Sequence, residues 1–251
     1  MDTVCVEYSD KVAILKLNRS VTNALNLQLV EELGETLREV RHSPDVHSLV
    51  LASSNDKFFS IGFDIPQLFE LTREDFCFFY QAFNRMCLDL YTLPKPTVAA
   101  ITGHAIAGGC ILALCCDYRL IAAGRKLMGL NEIKLGVPVP YLADRVLWQI
   151  VGVRYAREIT DMGEFYRPEE LLRMGAVDQV LSSEQVMLKS IEKARLLGSL
   201  PQEPFAAIKQ NRVEMVEAQV LAHLEEKEQF FIERWYSAEA RKRLQEAMER
   251  F

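Results

Sequence analysis

Two rhythms of apolar and polar positions run along this chain. Residues 4–8 and 12–17 have the dense, β-branched apolar character of strands, and Ser9-Asp10-Lys11 between them supplies a hairpin turn. A polar loop covers 18–26. Leu27, Val30, Leu33, Leu37 and Val40 then recur at three-to-four spacing, which predicts an amphipathic helix. Residues 48–52 read as a buried strand, so strand, helix and strand form a right-handed parallel crossover. A dense loop at 57–63 precedes a helical stretch, 65–93, broken near Leu71-Thr72. Pro94-Lys95-Pro96 stops it, because proline lacks the amide proton and disfavours helix before it. A strand at 97–101 and a loop of small residues at 103–109 lead to 110–116, which is apolar all round and suits a central buried helix. Short strands follow at 118–122 and 126–128. Beyond Pro138 the pattern predicts helices at 139–150, 153–162 and 168–174, a strand at 177–181, and helices at 183–197, 203–219, 221–234 and 238–249. No repeat, low-complexity tract or flexible linker interrupts it. The expectation is an α/β chain whose helical end packs on the first part or on a neighbouring subunit.

The chain has 251 residues, 49% hydrophobic and 25% charged, enough for one large domain or two small ones with a sizeable core. Acidic residues outnumber basic ones by 35 to 29, giving a net charge of -6, the wrong balance for a nucleic-acid partner. A local basic patch can still hold a small anion. No apolar run approaches the ~20 residues of a membrane span. Met1-Asp2-Thr3-Val4 does not read as a secretory or transit signal, and Met248-Glu249-Arg250-Phe251 is not a Ser-Lys-Leu address, so the expected location is cytoplasmic. Cys5, Cys77, Cys87, Cys110, Cys115 and Cys116 form no C-x-x-C pair and are expected as reduced thiols. No metal site is expected, for want of ligand spacing and nearby histidines.

Three segments have the composition of a reactive site. In Phe58-Phe59-Ser60-Ile61-Gly62-Phe63-Asp64-Ile65, a glycine among bulky residues and a helix-opening acid suggest a tight turn with exposed amides, or an ordinary strand-to-helix turn. In Gly103-His104-Ala105-Ile106-Ala107-Gly108-Gly109-Cys110-Ile111, small residues allow close backbone approach, and the following helix aims free amides at an oxyanion; helix–strand packing would also want glycines. In Gly129-Leu130-Asn131-Glu132-Ile133-Lys134-Leu135-Gly136, one carboxylate stands among apolar neighbours. Partial burial would raise its pKa and make it a usable base; an exposed helix-start acid is the alternative.

In this order the three segments resemble the crotonase (enoyl-CoA hydratase/isomerase) superfamily, over nearly the whole chain. Leu17-Asn18-Arg19, Asn23-Ala24-Leu25-Asn26, Leu93-Pro94-Lys95-Pro96 and Cys116-Asp117-Tyr118-Arg119 fit as well. The resemblance implies an α/β crotonase-like ββα-superhelix over residues 1–195, holding an acyl-CoA site. It implies a C-terminal helical region, 196–251, used in trimerisation and covering the active site. The substrate would be an acyl-CoA thioester of fatty acid metabolism. Coenzyme A would be part of that substrate, with no separate cofactor, and the partners would be copies of the chain in a homotrimer or hexamer. By motif position, the backbone amides of Phe63 and Gly108 would stabilise the thioester oxyanion. Ile61, Gly62, Phe63, Asp64, Ile65, Gly108 and Ile111 would bind substrate.

Hydratases of this superfamily pair two glutamates, one matched by Glu132. The other position, two residues beyond Gly109, holds Ile111, as in single-glutamate Δ3,Δ2-enoyl-CoA isomerases. The resemblance therefore implies that Glu132 moves a proton from C2 to C4, with Ile111, Val137 and Pro138 excluding water. Asn131 would orient Glu132 or the substrate, or cap a helix. The alternatives are a hydratase-like lyase, for which Asp144 is the first second-acid candidate, and a weakly catalytic acyl-CoA-binding protein. His104 is read as structural, Asp144-Arg145 as a helix-surface pair, and Lys95 and Arg19 as solvated charges able to meet phosphates. Phe230, Phe231, Trp235 and Tyr236 are read as core or assembly residues.

Overall fold

The computed structural model describes residues 3–249; the four terminal residues on which the location readings partly rest lie outside them. Strands β1 (Val4–Ser9) and β2 (Val12–Leu17) form the expected hairpin, with Asp10 at φ +53 in its turn. Helix α1 (Leu27–His42) is capped by the Asn26 side chain and returns the chain to β3 (Ser48–Ser53), parallel to β2. The chain then alternates between two sheets. Strands β3, β5 (Thr97–Ile101), β7 (Tyr118–Ala122) and β9 (Gln179–Leu181) extend the hairpin into a six-stranded sheet of order β1-β2-β3-β5-β7-β9. Strands β4 (Phe58–Ser60), β6 (His104–Ile106) and β8 (Met128–Gly129) build a parallel three-stranded sheet beside it. With α2 (Ile65–Phe69), α3 (Arg73–Tyr91) and α4 (Gly108–Leu114) between them, these pairs make successive ββα turns of a spiral.

The central strands β3 and β5 are buried on both faces, which explains their continuous apolar sequence. Leu49, Leu51, Ala99 and Ile101 join the main core, while Val50, Ala52, Val98 and Ala100 face Val186 and Ala194 of α7 (Ser183–Gly198). The expected 195/196 division falls inside this helix. Remaining helices are α5 (Tyr141–Met162), α6 (Pro168–Met174), α8 (Gln202–Trp235) and α9 (Ala238–Met248). Val213, Val216, Val220, Phe231, Ile232 and Trp235 of α8 belong to the same core as α1 and α3.

Several sequence boundaries are corrected. The break expected at residue 220 is absent: α8 runs 34 residues, because no proline or glycine interrupts it after its first turn. The expected helices 139–150 and 153–162 meet at a kink, where Gly152 has φ +70. The segments read as loops at 57–63 and 103–109 contain β4 and β6, each three residues long and too short to show a period. Lys95 is buried, not solvated: its ammonium donates to the carbonyls of Val40 and Ser43 at the end of α1.

Candidate active site

The small sheet presents the three singled-out segments side by side. Gly109 must lack a side chain, since a Cβ there would lie 2.2 Å from the Ser60 carbonyl oxygen on β4. The polar loop before α1 holds the first segment in place. Asn23, fully buried at φ +46, donates from Nδ2 to Ser53 Oγ (2.8 Å) and the Phe59 carbonyl (3.1 Å), and its Oδ1 accepts from the Arg19 amide. Ser60 Oγ donates to the Asn23 carbonyl and accepts from the Gly62 amide at 3.1 Å. Leu25 donates to the Gly62 carbonyl and accepts from the Asp64 amide.

These bonds occupy the amides on either side of Phe63 and leave that of Phe63 free. Among the described residues, neither the Phe63 nor the Gly108 amide donates a hydrogen bond. The two loops touch: a Cβ on Gly62, whose φ is +90, would lie 2.9 Å from the Gly108 nitrogen. Ala107, at φ +46, turns the chain into α4, so that Gly108 is its first residue. Two unsatisfied donors on neighbouring loops can polarise a carbonyl placed between them.

The donors border a cavity of about 730 Å³, lined among others by Ile61, Phe63, Asp64, Ile65, Gly108, Ile111, Asn131, Glu132 and Val137. Gly62 completes the set by its contact with Gly108, so the expected site residues come together. Glu132 opens the 3-10 turn Glu132–Leu135 and is 5% exposed. Burial pushes its carboxyl up to about 7, opposed only by a hydrogen bond from its own backbone amide. Its Oε2 has no partner among the described residues, and neither has Asn131 Oδ1. The Asn131 side chain makes no cap bond to the turn. Asp64 also lines the cavity but is committed elsewhere, to Arg19 at 2.7 Å and to the Gln67 amide as cap of α2. Ile111 is 1% exposed.

Asp144 does not line this cavity; it pairs with Arg145, which stacks on Trp148. His104 does line it, with Nδ1 accepting from the Leu127 amide, and burial together with Lys126 and Lys57 lowers its pKa. Arg19 borders the cavity as well, paired with Asp64 and the Ala24 carbonyl. Phe231, Trp235, Ala247 and Met248 form part of the wall. Sequence reasoning assigned the two aromatics to the core or to assembly; their spacing of four residues on one helix face was the available signal. Among the described residues no cluster has the composition of a metal site, and no helix is long and apolar enough to cross a membrane.

A family model described as enoyl-CoA hydratase/isomerase matches residues 7–251. The chain belongs to the enoyl-CoA hydratase/isomerase family. It is 32% identical over 180 residues to the mouse protein named mitochondrial enoyl-CoA delta isomerase 1, covering 71% of this chain and 62% of that protein. The human counterpart is 31% identical, over 76% of the chain and 63% of that protein, so the match spans a little under two thirds of these relatives. A crotonyl-CoA hydratase from Syntrophomonas wolfei is 29% identical over 74% of the chain and 72% of that protein. The crystal structure of human mitochondrial delta3-delta2-enoyl-CoA isomerase superposes with a TM-score of 0.95, at 28% identity, over 99% of this chain and 97% of that one. The expected crotonase fold is thus present.

Proposed function

We propose that the chain is a Δ3,Δ2-enoyl-CoA isomerase that shifts a double bond with one glutamate. The observation that carries this reading is Glu132: a buried carboxylate near neutrality, with an unpartnered oxygen, in a cavity whose other acid is tied to Arg19. A thioester carbonyl oxygen between the Phe63 and Gly108 amides would take up the negative charge of a dienolate. The Glu132 carboxylate removes a C2 proton from a 3-enoyl thioester, and the electron pair delocalises over C1 to C4. The same carboxyl then protonates C4, leaving the double bond between C2 and C3. Hydration would need a second group to hold and activate water. Ile111 supplies none, and Asp144 lies outside the cavity wall. Asn131, beside Glu132 in sequence and unpartnered at Oδ1, orients the base or the substrate in this scheme. Coenzyme A belongs to the substrate, and assembly as a homotrimer or a dimer of trimers is part of the same proposal, open to test by sedimentation.

The reading predicts turnover of 3-hexenoyl-CoA to the 2-enoyl isomer with little hydration of 2-hexenoyl-CoA. Rapid hydration would instead favour a lyase and demand a second acid–base group. It also fixes the direction of the pH dependence. The base must be ionised, so kcat/KM for 3-hexenoyl-CoA rises with pH and levels off above about 7. A profile flat through that value would remove Glu132 as the essential base.

A further inference from the structure

A donor kept free for a ligand has no hydrogen bond of its own to hold it. The Phe63 amide donates none among the described residues, so its aim depends on the flanking bonds and on what its side chain touches. Three other rings hold the Phe63 ring. Phe79 and Phe83, both fully buried on α3, meet it edge-to-face with centroids 5.0 and 4.9 Å away and planes 78° and 88° apart. Trp235 of α8 meets it at 6.3 Å and 64°. Edge-on arrangements of this kind are the ones aromatic quadrupoles favour. Phe76 in turn stacks on Trp235 at 4.4 Å, so the clasp is continuous with the close-packed core and does not shift freely.

The same ring reaches the second free amide. A Cβ on Gly108 would lie 3.5 Å from Phe63 Cδ1 and 2.8 Å from Leu25 Cδ1, so both side chains border Gly108. Gly108 has no side chain with which to fix itself. Phe63 thus offers one donor through its backbone and bounds the other through its ring. We infer that the Phe63 side chain, clasped by Phe79, Phe83 and Trp235, is a positioning group that sets the spacing and aim of the two amides. The inference rests on the reading that these amides receive a thioester carbonyl. Such donors act most strongly when they are aimed before reaction and need not reorganise during it. A smaller residue at position 63 keeps the amide and loses the ring; a smaller residue at position 83 keeps both and loosens the clasp.

The carbonyl of a bound, non-reacting thioester reads this directly. Infrared difference spectra would be taken of hexanoyl-CoA labelled with carbon-13 at the thioester carbonyl, bound to the wild type, to Phe63→Leu and to Phe83→Leu. Alongside them, kcat and KM for 3-hexenoyl-CoA would be measured. In the wild type the carbonyl stretch is expected below its value in water. In both variants the expected result is a smaller downward shift, with kcat about ten- to a hundredfold lower and KM changed by less than about threefold. A wild-type frequency or a wild-type kcat in either folded variant overturns the inference alone. A wild-type carbonyl no lower than in water, or no binding at all, overturns the oxyanion reading and this inference with it. Without isomerisation by the wild type, the frequencies alone decide. If one variant does not fold, the other decides by the same readouts.

Discussion

Glu132→Gln is expected to lower kcat for 3-hexenoyl-CoA by about 10²–10⁴-fold, because the amide keeps the shape of the side chain and cannot accept the C2 proton. The same substitution is expected to stabilise the fold at alkaline pH. The carboxyl is raised to about 7 by burial from an ordinary value of 4.5. Between those values the folded chain holds a proton that the unfolded chain has released. The favourable contribution is therefore full below about pH 4.5 and lost as pH rises through about 7. Above that, keeping the buried carboxylate ionised costs roughly 3 kcal/mol, which a neutral glutamine avoids. Urea denaturation at pH 8 should show the variant more stable than the wild type, with the difference vanishing toward pH 4. A less active enzyme that is equally stable at both pH values would contradict a carboxyl held near neutrality by burial. On the proposed mechanism, stability is given up at the group that moves the proton.

The largest loss of stability is expected at Asp117, which does not line the cavity. Its Oδ2 accepts from Lys209 Nζ at 2.8 Å and from the Thr97 amide and hydroxyl, and its Oδ1 accepts from Arg212. Arg212 is half exposed and can return to water; the Lys209 side chain, 2% exposed, cannot. Burial already lowers the Lys209 pKa against the pull of Asp117. Asp117→Ala strands that ammonium and should cost about 3–5 kcal/mol in urea denaturation. Asp117→Ala combined with Lys209→Met should recover much of the loss, since an apolar pair leaves no unmatched charge. A cost below about 1 kcal/mol for the single variant would mean that the cluster is as weak as an exposed ion pair. The bridge matters to the site because it ties α8, which carries Phe231 and Trp235, to the start of β5 and β7.

How far the sequence could be read follows from the range of each interaction. Asp64 and Glu132 were legible because their signals are local: a helix is capped by Asp64, and a lone acid sits in an apolar run. Gly62, Gly108 and Gly109 were legible by residue type alone, although the close approaches that demand them, Gly109 to Ser60 and Gly62 to Gly108, join segments far apart in the chain. The main strands were legible because β3 and β5 are buried on both faces. What escaped depends on pairing across the chain. Asp117 meets Lys209 across 92 residues, and Lys95 reaches Val40 across 55. The three-residue strands β4 and β6 are recognisable only by their pairing with each other and with β8, and the place of Trp235 in the cavity wall appears only when α8 lies against Phe63 and Phe76.

The central claim, one glutamate carrying one proton in a cavity poor in water, is tested most directly by isotopic label. 3-Hexenoyl-CoA carrying deuterium at C2 would be isomerised in ordinary water and the product examined at C4. The single-base mechanism predicts deuterium at C4 in a substantial fraction of molecules, because the Glu132 carboxyl delivers what it removed. Product with only protium at C4 would contradict it, and would point to exchange with solvent or to a second acid.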